Sequence, residues 1–169
     1  DDVLIGLESS RFHSNGFSLL SCIITEYYLD LKTQIDEERL GDILLKPTHI
    51  YVSEILALKK ILTINAISHI TGGGFFENIP RMLGKNQQAV INHDFSDWPA
   101  GNYYKWLSDT TNISKQNLLE TFNCGIGLVI SVDKADEENA LGALNQTLFA
   151  KTIGTIKEKG TDDNEIIFV

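Results

Sequence analysis

What this sequence has little of narrows it first. Among 169 residues there are two cysteines, three prolines and one methionine. Cys22 and Cys124 lie far apart, and with no export signal they read as reduced thiols rather than a disulfide framework. The cysteines and four histidines show no Cys-x-x-Cys or His-x-x-x-His spacing, so no protein-held metal is expected. No stretch approaches the roughly 18 consecutive apolar residues of a membrane span. The run Val3–Leu7 is too short, and lacks the basic flank, for a signal peptide. These features point to a cytoplasmic protein, and the start at Asp1 suggests a piece of a longer chain. Lys/Arg clusters are missing too, while the formal net charge is −9, which argues against nucleic acid or a membrane as partner.

What is present is a globular composition, 43% hydrophobic and 22% charged, in a length that fits one domain, residues 1–169. Apolar runs with β-branched residues predict strands over 1–7, 66–70, 88–92, 126–132, 151–157 and 164–169. Helical spacing of apolar residues predicts helices over 16–28, 39–45, 49–62, 103–107, 115–122 and 136–148. Ser14 or Asn15 suits the cap of the first helix and Ser114 that of the fifth. Residues 30–36 read as a polar connection and 160–163 as a closing turn. About six strands mixed in order with helices make an α+β fold, a single mixed sheet with helices packed on it.

One stretch organises the chain. His69–Leu83 reads HITGGGFFENIPRML, a buried strand that stops at Thr71, then Gly72, Gly73 and Gly74, then a helical pattern. Glycines let the backbone approach a ligand closely, and the amide end of a following helix favours an anion. A plain tight turn explains the same residues. A second polar loop, ESSRFHSN (Glu8–Asn15), joins a strand to a helix, a position where open α/β folds commonly place ligand contacts.

Four segments in one order, HSNGFSL (13–19), PTHIYV (47–52), HITGGGFFENIPR (69–81) and FNCGIG (122–127), make the whole chain resemble the C-terminal half of the aminoimidazole ribonucleotide synthetase family, the phosphoribosylformylglycinamidine cyclo-ligases. The resemblance implies a ligase of purine biosynthesis. ATP activates the formyl oxygen of formylglycinamidine ribonucleotide, and ring closure gives aminoimidazole ribonucleotide. It also implies a two-domain, homodimeric enzyme whose N-terminal domain carries most of the ATP and Mg²⁺ site through an Asp-Gly-Val-Gly-Thr-Lys motif that this sequence lacks. The chain would then be the substrate-side domain, partnered by its own N-terminal domain and inactive alone, a monomer or weak dimer. Two positions depart from the family: Arg11 stands where Gly is usual, and Ser21 where a basic residue is usual.

The resemblance implies His69 and His13 as catalytic residues, His69 binding phosphate or polarising the formyl oxygen. From the residues alone, a core histidine bonded to a neighbouring carbonyl is the favoured reading of His69, and the resemblance reverses that preference. Thr71, Gly72, Gly73 and Gly74 become backbone contacts to the substrate phosphate. Ser9, Ser10, Ser14 and Asn15 become substrate contacts, with capping and turn chemistry the plainer account. Asn78 and Arg81 complete the set; Asn78 also suits a helix cap, and Arg81 pairs as readily with a surface carboxylate as with phosphate. His49 and His93 read as structural or surface residues, and Cys124 as a small buried hydrophobe. Related ATP-dependent enzymes (selenophosphate synthetase, thiamine-monophosphate kinase, the formylglycinamidine-forming amidotransferase) and a non-catalytic binding module are the alternatives.

Overall fold

The strand DVLIGLE is apolar at nearly every interior position, as a strand covered on both faces must be. In the computed structural model, which describes residues 2–92, 94–160 and 164–169, it forms β1 (Asp2–Glu8). Next come α1 (Phe17–Glu26), a small hairpin of β2 (Gln34–Ile35) and β3 (Glu38–Arg39), α2 (Leu40–Leu45) and α3 (Val52–Leu58). Then follow β4 (Ala66–His69), α4 (Gly74–Asn78), a 3₁₀ turn at Ile79–Met82, β5 (Gln87–Ile91), α5 (Gly101–Thr111) and α6 (Lys115–Thr121). β6 (Ile126–Asp133), α7 (Glu137–Leu144), β7 (Ala150–Glu158) and β8 (Ile166–Phe168) close the chain.

All six expected strands join one sheet in the order β4-β6-β1-β7-β5-β8, antiparallel except for the parallel pair β5–β8. The fold is the mixed α+β sheet that the sequence predicts. Alternate residues of β1 and β6 feed two cores, one on each face. Leu4 and Val129 join Phe12, Phe75, Tyr104 and Phe122 in the larger core. Val3, Ile5, Leu7, Leu128 and Ile130 join Leu58, Ala140 and Leu144 from α3 and α7 in the smaller one. Among the described residues no helix is long and apolar enough to cross a membrane.

The departures from the expected elements have local causes. The segment 30–36 contains the first strand of the hairpin, whose two-residue strands are too short for any alternation to show. Helix α3 starts at Val52 rather than 49, because Tyr51 turns its hydroxyl into a 2.6 Å bond with the Glu8 carbonyl. Ser114 caps α6 as expected, accepting from the Asn117 N–H. The cap of α1 is instead Gly16, at φ 68°, with no side-chain cap; Asn15 is drawn away to bond elsewhere. His93 and most of the 160–163 turn lie outside the described residues.

Candidate functional site

Antiparallel register brings the ends of β1 and β4 together over the start of β6, since Leu7 and His69 both pair with Leu128. The loop after β1 carries His13, and the loop after β4 carries the three glycines. Asn15 joins them, its Nδ2 donating to the Ile70 carbonyl at 3.0 Å. Both loops rest on Gly127: the Ile70 N–H bonds its carbonyl at 2.9 Å, and any Cβ there would stand 2.0 Å from the Tyr51 hydroxyl and 2.4 Å from His13 Cε1. The sheet has no side chain at that spot because an imidazole and a phenol fill it.

Four rings gather there. Tyr51 lies 4.6 Å from His49, 6.0 Å from His69 and 6.3 Å from His13, and His13 lies 6.1 Å from His69, centroid to centroid. His13 is 4% exposed, and its Nε2 faces the Ser10 N–H at 3.1 Å. An imidazole that accepts at Nε2 is neutral and carries its proton on Nδ1, and that nitrogen is buried with no protein partner. Burial above all, then the neighbouring His69 and His49, pushes its pKa down to about 4. His69 is exposed rather than a core histidine, and partial desolvation lowers its pKa as well. His49, read from sequence as peripheral, belongs to the cluster and pairs with Glu54 at 3.2 Å. An apolar cavity of about 490 Å³ opens beside the rings, walled by His49, Tyr51, Ile55, Leu56, Ile67 and His69.

The glycine loop divides by role. Gly73 and Gly74 have φ of 83° and 54°, and a Cβ on Gly74 would meet the Leu119 carbonyl oxygen at 2.0 Å. Backbone contact makes glycine obligatory at Gly74, and the positive φ favours it at Gly73, where a Cβ would meet the Glu77 side chain. Gly72 is exposed, and a Cβ there would meet nothing, so its bare backbone faces open space. Asn78 sits at the end of α4 rather than capping its start. Its Nδ2 lies 3.3, 3.1 and 2.7 Å from the carbonyls of Thr71, Gly72 and Gly74, while its Oδ1 accepts from the Thr71 hydroxyl and from Arg81 Nη1. Arg81 also stands 3.7 Å from Glu77, both well exposed.

In the other loop Ser9 Oγ donates to the Arg11 carbonyl, Ser10 Oγ to the Pro47 carbonyl at 2.6 Å, and Ser14 Oγ is 3.3 Å from Thr48 Oγ1. The hydroxyls of Ser9 and Ser10 are therefore committed to holding the loop's shape. Arg11 keeps φ at 155°, a conformation that favours glycine, although it has a side chain. Its guanidinium pairs with Glu38 and lies 4.7 Å over the Tyr103 ring, and its carbonyl also accepts from Asn123 Nδ2 at 3.0 Å. Sequence reasoning singled out neither Glu38 nor Tyr103, and it placed Tyr51 only on a helix face. The PTHIYV segment held the one available signal for Tyr51. Burial raises the Cys124 thiol pKa well above its ordinary value, which suits packing rather than nucleophilic chemistry. Among the described residues no three His, Cys, Asp or Glu side chains are grouped to hold a metal ion.

Residues 1–165 match the family model described as "AIR synthase related protein, C-terminal domain". Among solved structures the chain is similar to E. coli HypE, a hydrogenase maturation protein, in two crystal structures at 20% identity and TM-scores of 0.59 and 0.60. Each likeness covers 99% of this chain and 46% of that one, so the chain spans less than half the length of these relatives.

Proposed function

Because the chain belongs to the AIR synthase related family, as its C-terminal domain, we propose that it is the substrate-side domain of a phosphoribosylformylglycinamidine cyclo-ligase, acting in ring closure of formylglycinamidine ribonucleotide to aminoimidazole ribonucleotide. The observation that carries this reading is the convergence of His13, His69 and Tyr51 at the end of the sheet where β4 runs into the glycine loop. Gly72 presents the uncrowded backbone that a phosphate needs, and His69, the exposed ring three residues before it, is able to donate to phosphate or to the formyl oxygen. His13, neutral at pH 7, holds the Ser10 amide and keeps one N–H in reserve. Asn15 joins the two loops, Asn78 clamps the glycine loop and Ser9 and Ser10 hold the shape of the other, while Ser14, Thr71 and Arg81 complete the proposed set of contacts.

ATP would supply the activation of the formyl oxygen, held with Mg²⁺ mainly by the N-terminal domain in this reading. The partner in this reading is the enzyme's own N-terminal domain, seated on the apolar cavity beside His69, in a homodimer. A second reading follows from the structural likeness to HypE: a hydrogenase-maturation role on the same fold.

The test is conversion of formylglycinamidine ribonucleotide and ATP to aminoimidazole ribonucleotide by the chain joined to an N-terminal half, with the 169-residue chain as control. Product from the joined protein alone is the expected result, falling about a hundredfold or more in His69→Ala if that ring acts on the reacting atoms. No product from a folded, joined protein sinks the cyclo-ligase reading and favours the second.

A further inference from the structure

We propose that Glu38 is a positioning residue for the His13 site, its carboxylate tying together the two chain segments that wall that imidazole. The inference rests on the reading above only for its effect on catalysis.

Two routes lead from this carboxylate to the same ring. Oε1 accepts from the Arg11 guanidinium and, at 3.2 Å, from the Tyr103 hydroxyl. Arg11 lies two residues before His13, and its carbonyl is the anchor that Ser9 and Asn123 bond. Oε2 faces Lys46 Nζ at 3.4 Å. Lys46 opens the segment whose Pro47 carbonyl takes the Ser10 hydroxyl, whose Thr48 meets Ser14, and whose Tyr51 stands beside the His13 ring. The routes meet at Ser10, whose N–H in turn bonds His13 Nε2.

Holding the side chain of Arg11 matters because its backbone is in a conformation that a Cβ disfavours. A glycine there would need no such hold. The Arg11 side chain is 17% exposed and rests on an aromatic face, unlike an ordinary surface ion pair, which contributes little. The guanidinium beside Glu38 keeps that carboxyl below its usual range, so the clamp stays charged at neutral pH.

The experiment follows the His13 ring by ¹⁵N NMR in the unaltered chain, Glu38→Ala and Glu38→Gln, with Asp109→Ala, which cuts an exposed ion pair on α5, as control. Unaltered, His13 is expected to hold its proton on Nδ1 and to titrate near 4. Removing a negative charge alone would push the imidazole lower still. In Glu38→Ala its midpoint is expected to rise by about one unit as burial loosens, with its tautomer preference lost. Glu38→Gln, which keeps an acceptor for Arg11 and Tyr103, is expected to restore most of the unaltered behaviour. A folded Glu38→Ala whose His13 titration and tautomer match the unaltered chain overturns the proposal. Should Glu38→Ala not fold, Arg11→Ala, which keeps the Cβ but loses the guanidinium, and Lys46→Met each cut one route, and an unchanged His13 in both overturns it equally. In the ring-closure assay Glu38→Ala is expected to lose about ten- to a hundredfold in kcat/KM. Absence of all activity would sink the cyclo-ligase reading, while the NMR titration would still decide the role of Glu38.

Discussion

The two loops that meet over Gly127 are built on opposite plans. The glycine loop closes on itself: its clamp, Asn78, reaches back no more than seven residues to Thr71, Gly72 and Gly74. The His13 loop is held from outside, by Glu38, Tyr104 and Asn123, which stand 27, 93 and 112 residues beyond Arg11. One loop has positive φ at glycines, where it is cheap, and the other at Arg11 and His13, where it is not. A self-contained loop keeps its shape if its surroundings shift. A loop held from three elements is only as well placed as the fold around it, which makes it the more sensitive half of the site.

The difference can be broken most severely on the glycine side. In Gly74→Ala a methyl meets the Leu119 backbone at a φ of 54°, and neither can give way. Destabilisation on the order of 4 kcal/mol is expected in urea unfolding, because strain and overpacking act together; a loss under about 1 kcal/mol would mean that the loop and α6 are not packed as described.

On the other side, pH is the lever. His13 titrates near 6.5 unfolded and about 4 folded, so between those values the unfolded chain binds more protons. Stability from this group is complete above about pH 6.5 and is lost as pH falls through 4. The 2.5-unit gap between the two values corresponds to about 3 kcal/mol. The lowered pKa of His69 adds in the same direction. Chemical denaturation at a series of pH values should show this fall, flattened in His13→Gln; an identical slope in the variant would remove His13 as its source.

The smallest effect sharpens the contrast instead. Arg11→Gly relieves a backbone cost of about 1–3 kcal/mol while losing the Glu38 pair and the Tyr103 contact. The two nearly offset, and a net change within about 1 kcal/mol is expected by thermal unfolding. A loss far larger than this would mean that Arg11 carries no conformational penalty.

The same contrast explains what could be read from the sequence. All six strands were legible because their apolar, β-branched runs advertise burial locally, and the glycine loop because three glycines in a row permit few other structures. Asn78 was legible as a polar residue near that loop but not in its role; a helix cap and a loop clamp differ only in which carbonyls lie within reach. The hairpin carrying Glu38 was not legible, since two-residue strands leave no periodicity. Nor was the grouping of His13 with Tyr51 and His49, which arises only when their segments meet in the fold. The departure at Arg11 was visible in the sequence, but what supports it lies across the fold.

The central position of β1 has a consequence for how the chain comes to be folded. Its neighbours on the two sides are β6 and β7, Val3 pairing with Val132 on one and Thr155 on the other. An apolar segment must therefore wait until synthesis has passed Val132 and Thr155, a delay of roughly 6–30 s at ordinary rates. Throughout that interval Val3, Leu4, Ile5 and Leu7 lack the sheet that buries them in the fold, and the strand that later anchors the site is for that time a liability to aggregation.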